Sequence, residues 1–203
     1  MFANCRITVQ LQVGVAHQTA VDWLTFVRDL CSAELLHQPR PIGGQGHTVA
    51  IDEILIFPDN VHRHAVPQWM FGGVDLATKE FFMQLVPSRD WVVLEPIIQT
   101  HILPGTTIWS DHWGAYVGLH VLPQQYIQQT VNHDQMYVDP VTGYPTVDIK
   151  SRWNACKMSL KKRCRVARHR LLEYLDDYMW RCQRHFNVIF RDILQAIRRQ
   201  YPV

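Results

Sequence analysis

The apolar positions of this chain change their period twice. Over residues 14 to 36 they recur at helical spacing, with Val21, Leu24, Val27, Leu30 and Cys31 on one face and Thr19 placed to cap the start. A glycine, a short turn and an amphipathic helix are compatible with the second half of a helix-turn-helix, whose first helix would have to fit inside the opening dozen residues. The plainer reading is a helix packed on the main domain. Pro39 to Gly46 (PRPIGGQG) is rich in helix and strand breakers and reads as a linker. Its glycine pair precedes a strand instead of opening a helix, so it does not read as a phosphate cradle.

From Thr48 the runs shorten. Val49 to Phe57 (VAIDEILIF) is nearly all apolar with two acids in its middle, the pattern of a strand buried on both faces. Alternation sends Asp52 and Glu53 to opposite faces, so at most one of them serves a given site. A buried carboxylate costs several kcal/mol unless paired or bound to a cation, which makes an acid there a candidate for chemistry. Trp69 to Val74 and Glu80 to Val86, joined by a turn over residues 75 to 79, read as an antiparallel hairpin. Ser88 or Asp90 caps a helix through Trp91, Leu94, Ile97 and Ile98, which Pro104-Gly105 ends. Thr106 to Ser110 is a strand with Asp111 at its C-terminal edge, followed by a helical or irregular segment through Trp113, Tyr116 and Leu119. Tyr126 to Val131 is a fifth strand, and Asp139 to Gly143 a turn. This order predicts an α/β layout with a mixed sheet covered by helices.

After the turn the helical period returns. Ile149, Trp153, Cys156 and Leu160 form an apolar stripe, with Lys150, Asn154, Lys157 and Lys161 beside it. Leu171, Leu175 and Tyr178 continue the period. A strong stripe from Phe186 through Ile189, Phe190, Ile193 and Leu194 to Ile197 predicts a core-packing or self-association face.

Composition changes this picture little. The 203 residues suffice for one domain with a full core, and the formal net charge of +2 selects no partner. The distribution of charge is more telling: acids dominate up to about residue 150, and Lys157, Lys161, Lys162, Arg163, Arg165, Arg168 and Arg170 follow. Such a run suits contact with nucleic acid or a solvated helix face. Five dispersed cysteines without a C-x-x-C pair argue against a disulfide framework and a zinc ribbon, and for reduced thiols inside a cell. The opening residues do not read as a signal peptide, and no apolar run reaches membrane-spanning length.

The segments IDEILIF, WMFGGVDLATKEFF, VPSRDW, ILPGTTIWSDHWGAY, TVNHDQMYVDPVTG and IKSRWNACK resemble, in order and spacing, the transposase domain of the ISXO-like insertion sequences and of their eukaryotic relatives, the Merlin-superfamily DNA transposons. The resemblance runs from roughly Asp22 to Trp180. It implies an RNase H-like, retroviral-integrase-like fold: a mixed five-stranded sheet flanked by helices, with a helical C-terminal extension. The implied organisation is an N-terminal helical remnant and linker over 1–46, the transposase domain over 47–180 and a C-terminal amphipathic helix over 181–203.

The resemblance also implies a DDE triad holding two divalent ions, Mg²⁺ or Mn²⁺ ancestrally. Such ions prefer hard oxygen ligands, and a pair of them can activate a hydroxyl and stabilise the leaving oxygen in displacement at phosphorus. Asp52 matches the first catalytic, metal-binding acid and Asp111 the second. The family pattern places the third directly after the Ile that precedes E-x-x-W, where this chain has Lys150. A cation about 4 Å from a divalent ion is repelled by about 8 kcal/mol at an effective dielectric near 20, an upper figure because lysine can bend away. Asp148 lies about 200° around a helix from Lys150 and reads as an N-cap instead. The segment Pro58 to Pro67 is shorter and less basic than in the family, and His133 stands in a family-like N-H pair.

These departures imply a transposase-derived protein without catalysis and without a tightly bound metal. Lys150, Asn154, Lys157, Lys161, Lys162, Arg163 and Arg165 would contact DNA phosphates without reading sequence. Two alternatives stand beside it: an active metal-dependent strand-transfer transposase with an unconventional third ligand, and a protein-interaction scaffold. A homo-oligomer through the C-terminal helix is a further expectation. Nuclear residence follows for a eukaryotic host and cytoplasmic residence otherwise.

Overall fold

The computed structural model describes residues 12–57, 67–111, 114–131, 147–162 and 166–202, with only the backbone described at residues 57, 111, 114, 115, 117, 131, 147, 148 and 162. The chain forms two compact units, Arg40–Asn154 and the combination of Met1–Pro39 with Ala155–Val203.

The first unit holds β2 (Thr48–Phe57), β3 (Gln68–Asp75) and β4 (Phe81–Val86), then helix α2 (Trp91–His101), strands β6 (Thr107–Asp111) and β7 (Ile127–Val131), with a 3₁₀ segment Gly114–Val121 between them. The sheet order is β4-β3-β2-β6-β7, and β2 is its central strand. β3 runs antiparallel to both β2 and β4, whereas β6 is parallel to β2 and β7 to β6. Three antiparallel strands followed by two parallel crossovers is the RNase H-like arrangement that the sequence implied.

Period-two alternation decides which side of the sheet is the core. Val49, Ile51, Phe71, Phe82 and Ile108 share one side with Leu94, Ile97 and Ile98 of α2 and with Tyr116 and Leu119. Fully burying a Leu, Ile or Phe contributes about 1.5–3 kcal/mol, so this layer carries much of the unit's stability. Gly73 faces that layer, where a Cβ would come within 2.8 Å of the Phe82 ring. Asp90 is the residue before α2, as expected, but its side chain makes no capping bond and accepts from the Ser88 hydroxyl at 2.6 Å.

The linker expected over Pro39 to Gly46 contains structure. Ile42–Gly43 (β1) pairs in parallel with Ile102–Leu103 (β5), the strand that directly follows α2. Gly43 has φ +86°, and a Cβ there would lie 2.5 Å from Thr106 Oγ1. The fully buried Thr106 hydroxyl donates to Leu103 O at 2.5 Å and accepts from Gly44 N at 2.8 Å. The glycine pair thus serves a close backbone approach.

In the second unit, α1 (His17–His37) starts earlier than expected. Its N-cap is Ala16, which has no side-chain acceptor, and Thr19 is already helical. The expected turn-of-helix partner would lie largely in residues 1–11, outside the described residues. α1 buries Ala20, Arg28, Leu30, Cys31 and Glu34. Helix α4 (Leu171–Cys182) buries Leu171, Tyr174, Leu175, Asp177, Met179 and Trp180. The polar members are paired: Arg28 lies 3.6 Å from Glu173 and over the Tyr174 ring, Arg181 donates to Asp177 at 2.6 Å, and Arg199 to Glu34. Cys31, Cys156 and Cys182 are not in disulfides. Burial beside the Asp177 carboxylate pushes the Cys31 thiol up to about 12.

Helix α3 spans Val147–Lys162, so Asp148 lies inside it and is not the N-cap that the sequence predicts. The C-terminal stripe is divided between a 3₁₀ turn, Phe186–Val188, and helix α5, Ile189–Gln200. Ala196 is the buried residue of α5, while Phe186, Phe190 and Leu194 are 77%, 74% and 50% exposed. Those three side chains do not pack into the unit's core.

Candidate active site around Asp52

β2 brings Asp52 to the middle of the central strand, directly across the antiparallel ladder from Gly72. Its neighbour Glu53 pairs with Phe71 and therefore points to the core side. On the other flank Ala50 is paired in parallel with Trp109, so positions 52 and 111 each lie two residues further along adjacent strands. Residue 111 closes β6, its backbone paired with Val131. The two acids inferred from the sequence thus occupy matching backbone positions.

Both oxygens of the Asp52 carboxylate accept hydrogen bonds. The backbone N–H of Glu53 donates to Oδ1 at 2.9 Å, and the indole Nε1–H of Trp153 donates to Oδ2 at 3.2 Å. Trp153 is 2% exposed and reaches Asp52 from α3 across the space left by Gly72. Arg152 ties the same turn of α3 to the β3–β4 hairpin, donating to Lys79 O at 3.2 Å with its guanidinium over the Phe81 ring. Ile149 is buried beside them. Helical periodicity explains this face, because Ile149 and Trp153 are four residues apart.

Lys150 is exposed on α3, three residues before Trp153 and therefore its neighbour on the helix surface. Asn154 is also exposed. Lys157 and Lys161 are exposed on the part of α3 that belongs to the second unit. Arg163, Arg165 and His133 lie outside the described residues.

A pair of Mg²⁺ or Mn²⁺ ions requires converging hard oxygen ligands. Among the described residues, no three or more His, Cys, Asp or Glu side chains gather as such a set. At the position where the resemblance implies a third acid the chain has Lys150, which has no free pair to donate when charged. A lysine ammonium in place of a carboxylate does not fit a two-metal site.

Two residues of this site escape a reading by residue type. Gly72 looks like an ordinary weak point in a strand, although a glycine at a strand's centre does signal close approach by another group. Trp153 looks like a core residue, and nothing local announces its bond to an acid so distant in sequence.

Among solved structures, the chain is similar to the catalytic core domain of BIV integrase, with 12% identity, a TM-score of 0.41 and coverage of 64% of this chain and 80% of that one. It is also similar to a chain of the simian T-cell lymphotropic virus intasome in complex with PP2A regulatory subunit B56 gamma, with 13% identity and a TM-score of 0.44, covering 84% of this chain and 63% of that one. A search of curated proteins finds no match. No helix among the described residues is long and apolar enough to cross a membrane. The sequence pattern of the ISXO2-like transposase domain matches residues 59–183, which take in position 111 and all of α3 and begin just beyond Asp52. With more than half of its length matched, the chain belongs to the ISXO2-like transposase domain family.

Proposed function

We propose that this protein is a transposase derivative that has lost strand-cleavage chemistry and retains sequence-independent contact with DNA. One observation carries the reading. The helix whose Trp153 donates to the first acid, Asp52, presents Lys150 where the resemblance calls for a carboxylate. Replacing −1 by +1 at a site for divalent cations reverses the sign of the interaction with the metal, while leaving a charge of the right sign for phosphate. Ancestral chemistry would have used Mg²⁺ or Mn²⁺ held by carboxylates at 52, 111 and 150. In the present chain Lys150, Asn154, Lys157, Lys161, Lys162, Arg163 and Arg165 serve as the phosphate-contacting set. Contacts of this kind to phosphates confer affinity without sequence choice.

The test is incubation of purified protein with supercoiled plasmid and Mg²⁺ or Mn²⁺, alongside titration of random duplex DNA at several salt concentrations. The reading expects no nicking and salt-sensitive binding. Metal-dependent nicking that vanishes in Asp52→Asn would instead identify an active strand-transfer enzyme. Failure to bind duplex DNA at low salt would leave a protein-interaction scaffold.

A further inference from the structure

We infer that Trp153 is a positioning residue, a built-in donor that holds the Asp52 carboxylate and sets the register in which α3 presents residue 150. The second half of this inference rests on the reading of residue 150 as the third-acid position; the first half does not.

The geometry is specific on three counts. A half-buried carboxylate is held by its donors, and the indole supplies one to Oδ2 while the Glu53 amide serves Oδ1. The indole can reach only because residue 72 lacks a side chain: a Cβ there would lie 2.5 Å from Trp153 Cη2 and 2.3 Å from the backbone oxygen of Phe82. The second of those atoms belongs to the sheet and cannot swing aside. Gly72 is moreover the ladder partner of Asp52, so socket and acid are opposite one another in one pair of strands.

The consequence for residue 150 follows from helix geometry. Residues three apart differ by about 4.5 Å along the axis and about 60° around it, and side chains at that spacing are neighbours. Seating the indole in its socket therefore determines where residue 150 emerges from α3. Arg152, bonded to Lys79 O, blocks rotation of the same turn. A phenylalanine at 153 would fill the socket without donating, which separates the donor role from simple packing.

Two measurements on the full chain test this. In ¹⁵N-labelled protein, the Trp153 indole resonance is the one lost in Trp153→Phe. It should move upfield and exchange faster with solvent in Asp52→Asn and in Asp52→Ala, and Gly72→Ala should displace it as well. An indole signal unchanged by both Asp52 variants overturns the inference. The second measurement is calorimetric titration with Mn²⁺. Lys150→Glu should bind Mn²⁺ at least tenfold more tightly than the native chain, and adding Trp153→Phe should remove about tenfold, the lower end of what loss of an outer-shell partner costs a metal site. If the double variant keeps all of the gain, the register role is wrong while the third-acid reading stands. If Lys150→Glu gains nothing, the third-acid reading and the register role both fail, and the indole resonance alone judges the bond to Asp52.

Discussion

Asp75 ends β3 and is 1% exposed, yet its carboxylate organises the hairpin on which α3 rests. Oδ1 accepts from the backbone N–H of Ala77 at 2.8 Å and of Thr78 at 3.1 Å. His47 Nδ1 lies 2.7 Å from Oδ2, and an ionised carboxylate only accepts, so that nitrogen carries the proton. The turn closed in this way presents Lys79, in the left-handed region at φ 63°, whose carbonyl receives Arg152 one residue before the indole clamp. Asp75→Ala removes one acceptor from three donors, two of them backbone amides. At about 1.5–3 kcal/mol for each of the two amide bonds to a charged group, with water taking over at the half-exposed His47, the loss should be about 3–6 kcal/mol. Asp75→Asn keeps an oxygen for the two amides and should cost about half as much. Urea unfolding followed by circular dichroism, with amide exchange at Ala77 and Thr78, gives both values. A loss below about 1 kcal/mol for Asp75→Ala, or equal losses for the two variants, would refute the reasoning. The pH dependence supplies a second check. Burial pushes the Asp75 carboxyl up, but the Thr78 and Ala77 amides and His47 outweigh it and hold it below its ordinary 3.8. A group depressed in the folded state stabilises above its unfolded value. That contribution should therefore be present above about pH 4 and disappear as pH falls through the folded value, and Asp75→Asn should flatten this limb.

His101 stacks on the Phe82 ring at 4.6 Å, and burial holds its imidazole below the ordinary 6.5. The unfolded chain then takes up the proton first, so unfolding midpoints should fall as pH drops below 6.5, and by less in His101→Leu. The exposed Phe190 and Leu194 of α5 should support self-association: Phe190→Asp with Leu194→Asp should lower the mass seen by light scattering while changing the monomer's stability by less than about 0.5 kcal/mol per site. Unchanged mass would remove α5 from any oligomer. On duplex DNA, Lys157→Ala and Lys161→Ala should each reduce the slope of log affinity against log salt by about one, uniformly across sequences, and an unaltered slope would take these lysines out of the interface.

Much of the fold could be read from local patterns. Alternation alone separates Asp52 from Glu53, and the apolar runs bounded by breakers place the five strands of the sheet to within a residue or two. The two-residue pairing of β1 with β5 could not be read in this way, because Ile42–Gly43 is too short to show a period and is a strand only through a partner sixty residues away. Capping failed for a related reason. Thr19 and Asp148 have side chains suited to the role, but both lie inside their helices, which span His17–His37 and Val147–Lys162, so a local preference of about 1 kcal/mol does not decide where they start.

By itself, the sequence determined the element order, the opposite faces of Asp52 and Glu53, and the lysine at position 150. All of these depend on residue identity and on periods of two or 3.6 along one stretch of chain. Only the tertiary structure decided that Trp153 donates to Asp52 over a glycine, and that Phe186, Phe190 and Leu194 face water. Both outcomes depend on free space between segments distant in sequence, and an apolar stripe states only that it prefers burial, not which surface will cover it.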